Sequence, residues 1–220
     1  MNKPLYIIHL LLPILVSFTL QASAQTDPSA KLLLDKVSET YAGYTTIQAD
    51  FTITAHQSQQ ADNYTESGTI YMETSAGKYH ITMSSQDLIS DGKNQWMVLK
   101  EEGEVQVTEA DRSSDAISPV NIFSFYNKGY KYVSAPNERA GNTPLKVIEL
   151  TPENTRAPYF KIKLRVDGRT HLINDVTIFD KRGNKYIYTI KNTKANPKIA
   201  SDKFVFKQAS YPGMEIVDLR

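Results

Sequence analysis

The chain contains no cysteine. That excludes disulfides, thiolate metal sites and a cysteine nucleophile. It also excludes the lipid attachment that a bacterial lipoprotein makes at a cysteine directly after its leader. Net charge is nearly absent as well: 25 Lys and Arg face 24 Asp and Glu over 220 residues. Such a balance gives no general attraction to nucleic acid or to anionic membranes. The sequence has no His-Glu-x-x-His, no Gly-x-Ser-x-Gly elbow, no phosphate loop and no Rossmann glycine pattern. His56, His80 and His171 stand apart, away from ligand spacing, and read as surface or sheet residues. Glu101, Glu102 and Glu104 beside Gly103 read as a charged hairpin tip. No enzyme, metal or cofactor is indicated.

A single long apolar run exists, Leu5 to Leu20, and His9 and Pro13 interrupt it. It is short for a bilayer span, which needs roughly 20 apolar residues. Asn2 and Lys3 precede it, and Ala22-Ser23-Ala24 follows as a small-residue cleavage site. The reading is a secretory signal over residues 1–24, cut to leave Gln25 first. Losing Lys3 makes the basic and acidic counts equal. Residues 25–220 are then one exported, soluble domain with no lipid anchor, and a monomer.

What is present is mostly period-two alternation. Ala49, Phe51, Ile53 and Ala55 share one strand face, as do Tyr79, Ile81 and Met83, and further on Val105 and Val107. Phe160, Ile162, Leu164 and Val166 alternate with Lys161, Lys163 and Arg165, one dry face and one wet. Ile173 to Phe179 and Tyr186 to Ile190 continue the pattern. Asp91-Gly92-Lys93-Asn94, Val166-Asp167-Gly168-Arg169 and Asp180 to Asn184 punctuate it as turns. Ten or eleven strands in sequence suggest an antiparallel meander curled into a barrel or half-barrel. One helix precedes them, with Asp27 as cap, Pro28 in its first turn and Gly43 as stop. Its apolar face is Ala30, Leu33, Leu34, Val37 and Tyr41. Between Ser118-Pro119 and Gly129 a second, short helix is expected, carrying Val120, Ile122, Phe123, Phe125 and Tyr126. It is apolar on more than one side. That fits either a plug in the barrel or a lid over an apolar cavity. The many tyrosines suit half-buried strands, and aromatic platforms also bind sugars.

In this order the features resemble the LolA-type outer-membrane lipoprotein carrier family. The residues that carry the likeness begin with the leader and the amphipathic helix. Next come Gln48-Ala49-Asp50-Phe51-Thr52 and Ile89-Ser90-Asp91-Gly92-Lys93 followed by Trp96. The apolar segment after Ser118-Pro119 sits where the family has its lid. The tail from Phe204-Val205-Phe206 to Asp218 is similar to one branch of the family. One departure stands out: where many members carry Arg-Pro, this chain reads Glu73-Thr74-Ser75-Ala76. The family Arg associated with lid closure is therefore not carried over.

The resemblance implies a mainly β fold with helices. It would be an incomplete antiparallel β-barrel (half-barrel) covered by the N-terminal amphipathic helix and a short lid helix. It further implies a periplasmic carrier of acylated lipoproteins, with an inner-membrane ATP-driven transporter as donor and an outer-membrane acceptor. Phe51, Ile53, Trp96, Val98, Ile122, Phe123 and Phe125 are the candidate lipid contacts of cavity and lid. The alternatives are a lipid- or lipoprotein-sensing regulator of the same fold and a secreted carbohydrate-binding module.

Overall fold

A computed structural model describes residues 27–58, 63–110, 117 and 120–220. The leader expected over residues 1–24 lies outside them. Among the described residues there is one α-helix, α1, Pro28–Ala42. Asp27 caps it, its side chain accepting from the Ser29 N–H at 2.8 Å, and Ala30, Leu34, Val37 and Tyr41 are buried. The 3.6-residue period thus holds, with Leu33 packed at the margin of the core.

Twelve strands follow among the described residues: β1 Thr46–His56, β2 Tyr64–Glu73, β3 Lys78–Met83, β4 Gln86–Ser90, β5 Asn94–Leu99 and β6 Glu104–Glu109. After the apolar segment come β7 Tyr130–Ala140, β8 Thr143–Pro152, β9 Tyr159–Asp167, β10 Ile173–Asp180, β11 Lys185–Ala195 and β12 Glu215–Asp218. They form one open sheet ordered β12-β6-β5-β4-β3-β2-β1-β11-β10-β9-β8-β7. Two meanders, β2 to β6 and β7 to β11, are stitched together by β1, which pairs with β2 on one side and β11 on the other. The fold is the mainly β, unclosed architecture expected. One pairing departs from the antiparallel pattern, since β12 runs parallel to β6.

The turns obey simple chemistry. At residues 91–94 the Asp91 carboxylate accepts from the N–H groups of Lys93 (2.8 Å) and Asn94 (2.7 Å). Gly92 there adopts φ 88°, a left-handed angle that glycine takes without strain. Asp180 does the same for Arg182 and Asn184.

The apolar segment is not an α-helix. Residues 120–124 form turns and Phe125–Asn127 a single 3-10 turn. β-branched and aromatic residues are poor helix formers, and so few residues cannot repay helix nucleation. Packing holds the segment instead, with Ile122, Phe123 and Tyr126 buried. Its expected start at Ser118-Pro119 lies outside the described residues. In β9, Phe160 also breaks the alternation. The β9–β10 register shifts beside it, so Tyr159 turns inward while Phe160 is 51% exposed.

The main core lies on one face of the sheet, between β1–β3, β8–β11, α1 and the apolar segment. At the far edge the N-cap holds β7 as well. Asp27 donates its N–H to the Tyr132 carbonyl at 3.2 Å and accepts from the Ser134 N–H at 2.9 Å.

Candidate functional site

Strand pairing fixes which side chains share the inner face. Ala49 lies opposite Ile70, Phe51 opposite Gly68 and Ile53 opposite Glu66. On the other flank Phe51 faces Ile190 and Ile53 faces Tyr188. Ile122 descends onto this surface. A cavity of about 10 Å3 remains among Ala49, Phe51, Ile70, Ile122, Tyr188 and Ile190. That is near the least volume that admits one water, about 10–15 Å3. At this point the inner face is therefore apolar and filled by the protein's own side chains. Gly68 is part of the fit. A Cβ there would sit 2.7 Å from Phe51 Cζ and 2.4 Å from the Thr82 carbonyl oxygen, so any larger residue displaces the Phe51 ring.

Of the seven residues singled out from sequence, five meet on this side. Phe51 and Ile122 line the cavity, and Ile53 packs at the margin of the same core. Phe123 is buried and stacks on Tyr41, with ring centroids 4.7 Å apart and planes 30° apart. Phe125 is half-buried, edge-on to Tyr126 and Tyr130 at 5.5 and 6.0 Å.

Trp96 and Val98 are placed elsewhere. Trp96 pairs with Ile89, and Ile89 with His80, which puts it on the opposite face from Ile81 and Ile70. Val98 shares that opposite face through Asp87 and Thr82. The C-terminal segment crosses there. Phe204 is buried, Phe206 stacks on Trp96 at 5.7 Å, and Tyr211 stacks on Phe206 at 5.6 Å and donates to Asp87 at 2.9 Å. Trp96-Met97-Val98-Leu99 is apolar on both sides, so alternation alone did not assign its direction. The inward residue of that rung is Met97, opposite Leu88. Phe206 thus stacks on both Trp96 and Tyr211 with planes within 10°, and the three rings form one aromatic row.

The lining residues that sequence reasoning did not single out as contacts are Ala49, Ile70, Tyr188 and Ile190. Ala49 stood on the named face of β1. The others needed the pairing register to be found.

One rung beyond Phe51 sits a buried carboxylate. Glu66 is 8% exposed. Its oxygens accept from Tyr64 Oη (2.8 Å), Ser84 Oγ (2.9 Å), and the Ser85 N–H (2.9 Å) and Oγ (2.7 Å). Desolvation works to raise its pKa, but these four donors together outweigh it and bring the carboxyl from 4.5 down to about 2. A depressed carboxyl contributes stability above its unfolded pKa and loses it as pH falls through the folded value. Glu66→Gln is expected to flatten the fall in unfolding free energy between about pH 5 and pH 2, measured by urea titration at several pH values. An unchanged slope would remove Glu66 as the cause.

Among the described residues no group of three or more His, Asp or Glu is arranged to hold a metal ion, and no helix is long and apolar enough to cross a membrane.

Residues 42–207 match the family model described as outer membrane lipoprotein carrier protein LolA. The chain belongs to this family. Membership supports a lipid- or lipoprotein-binding role, in a family of carriers and binding proteins. No curated protein matches the chain in sequence. Among solved structures, an uncharacterized conserved protein from Thermus thermophilus is similar in fold. Its TM-score is 0.58 at 11% identity, covering 86% of this chain and 99% of that one. The lipoprotein LppX of Mycobacterium tuberculosis aligns with TM-score 0.49 at 12% identity over 80% of this chain and 100% of its own. A LolA superfamily protein from Nitrosomonas europaea aligns with TM-score 0.45 at 11% identity, over 80% and 97% respectively.

Proposed function

We propose that the protein is a periplasmic carrier. Exported by its cleaved leader, it takes acylated lipoproteins from an inner-membrane ATP-driven transporter and passes them to an outer-membrane acceptor. The observation that supports this reading most is the apolar inner face of β1, β2 and β11, stoppered by Ile122 from a segment with little regular structure of its own.

Energetics explain why a stoppered interior suits such work. Each buried methylene is worth about 0.8 kcal/mol, so a sixteen-carbon chain gains roughly 12 kcal/mol when fully buried. Several chains together would exceed any reversible affinity. A carrier that must release its cargo needs an opposing term. Here the segment around Ile122 fills the interior when no chain does. Loading must lift it out, and its return helps to eject the cargo.

The test is binding and transfer by the purified protein. Mass spectrometry of co-purifying material should find acylated proteins or lipids, and a palmitoylated peptide should bind where its unacylated twin does not. Radiolabelled lipoprotein should then pass from one membrane preparation to another. Equal binding of both peptides would overturn the acyl-carrier reading. Acyl binding without transfer would leave a lipid-sensing module.

A further inference from the structure

We propose that α1 is the latch of the apolar interior, with Ser38 and Tyr41 holding the segment around Ile122–Asn127 shut and so setting the affinity for acyl chains. This rests on the carrier reading above and adds the groups that regulate its site.

Ser38 and Tyr41 are three residues apart and therefore lie on one helix face. Each grips the segment at a different point. Tyr41 stacks on Phe123, the residue next to the stopper Ile122. Ser38 Oγ donates to Asn127 Oδ1 at 2.8 Å. Because Ile122 and Phe123 are adjacent in the chain, Ile122 cannot withdraw from the cavity far without pulling Phe123 off the Tyr41 ring.

The helix, by contrast, is fixed without help from the segment. Its N-terminus is tied to β7 through Asp27, bonded to Tyr132 and Ser134. Near its C-terminus the Tyr41 hydroxyl accepts from the Ile173 N–H of β10 at 3.1 Å, and Tyr44 packs edge-on against the Tyr41 ring at 5.9 Å. When the interior opens, the segment leaves and the helix stays. Several of the segment's hydrogen bonds are local ones: Ser124 and Phe125 N–H to the Asn121 carbonyl, Asn127 N–H to Ser124, and Tyr126 Oη to Phe123. They move with it and do not oppose release.

A carrier whose competent state is a minor fraction binds with an affinity reduced by that fraction. Loosening the latch therefore tightens binding, although no cavity-lining residue changes. An ordinary core role predicts the reverse, weaker binding or none.

The experiment uses the purified full-length protein with an N-palmitoylated peptide as probe, and hydrogen exchange of the Phe125 and Asn127 amides as a readout that needs no ligand. Ser38→Ala is expected to speed that exchange and tighten binding about threefold, in keeping with the loss of one hydrogen bond. Tyr41→Leu removes the stack and should tighten binding about five- to tenfold. If Tyr41→Leu fails to fold, Ser38→Ala decides alone. Unchanged exchange in Ser38→Ala overturns the latch, as does wild-type acyl binding that the variants leave unchanged or weaken. Faster exchange with no acyl binding by any form keeps the latch as a conformational device but removes its role in affinity, and sinks the carrier reading.

Discussion

Phe123→Glu should leave the sheet folded and expel the segment around it. Phe123 is 6% exposed, and a carboxylate in its place would be buried against the Tyr41 ring. Removing a buried Phe costs about 3–5 kcal/mol, and an unpaired buried charge costs more. The question is which unit bears that loss. If the segment is a separable stopper, the loss falls on its docking alone, and the strand signal in circular dichroism stays native. The single tryptophan supplies an internal control. Trp96 lies on the other face of the sheet against Phe206, so its fluorescence reports on the sheet and not on the stopper. Native Trp96 emission with rapid amide exchange at residues 124–127 is the expected result. Collapse of the Trp96 signal together with loss of strand content would show that the segment is ordinary core.

Arg165→Ala is expected to be the most damaging change on the opposite face, at about 3–5 kcal/mol. Asp175 is 1% exposed. Arg165 reaches it with Nε at 2.8 and 3.0 Å and with Nη2 at 2.7 Å, while Nη1 bonds Glu138 at 3.0 Å. These bonds, led by those to Asp175, raise the guanidinium pKa further. Alanine would leave a buried carboxylate with only the Asn174 amide, 2.6 Å away. For a domain of this size the expected fall in melting temperature is roughly 10 °C. The double replacement Arg165→Met with Asp175→Leu should recover most of it, because an apolar pair of similar volume carries no stranded charge. A single mutant as stable as the parent would show that water reaches Asp175 freely.

The amphipathic helix and the turns were legible residue by residue, because their signals are local. A cap, a proline in the first turn and a stripe at 3.6-residue spacing suffice for α1. An aspartate with glycine next to it suffices for the turn at Asp91, and one with glycine three positions on for the turn at Asp180. The inner face of β1 was also legible, since Ala49, Phe51, Ile53 and Ala55 alternate cleanly with polar neighbours.

What was not legible depends on long-range pairing. The parallel addition of β12 to β6 joins residues more than a hundred positions apart, and no local pattern encodes it. β5 has apolar residues on both faces: Val98 is buried on the face that the C-terminal segment crosses, while Met97 and Leu99 are half-buried on the other. Alternation there gives no direction, and the pairing register is what puts Trp96 and Val98 on the face away from the cavity. Phe160 misled for a different reason: a bulge inverts the strand's parity without leaving a mark in composition. The segment at 120–127 shows burial without regularity. The start signal at Ser118-Pro119 and the stop at Gly129 suggested a helix, but the segment's anchoring comes from Tyr41, Ser38 and the sheet, none of them its own residues.

The tether between Asp27 and β7 bears on company as well as on shape. An unguarded terminal strand offers a template on which a neighbouring molecule can stack, the first step toward fibrils. Here the Tyr132 carbonyl and the Ser134 amide are already occupied, and further along the same strand Pro136 withholds a donor where the β7–β8 register slips. The aspartate that begins the helix thus also takes up two of the backbone groups that β7 would otherwise offer to an incoming strand.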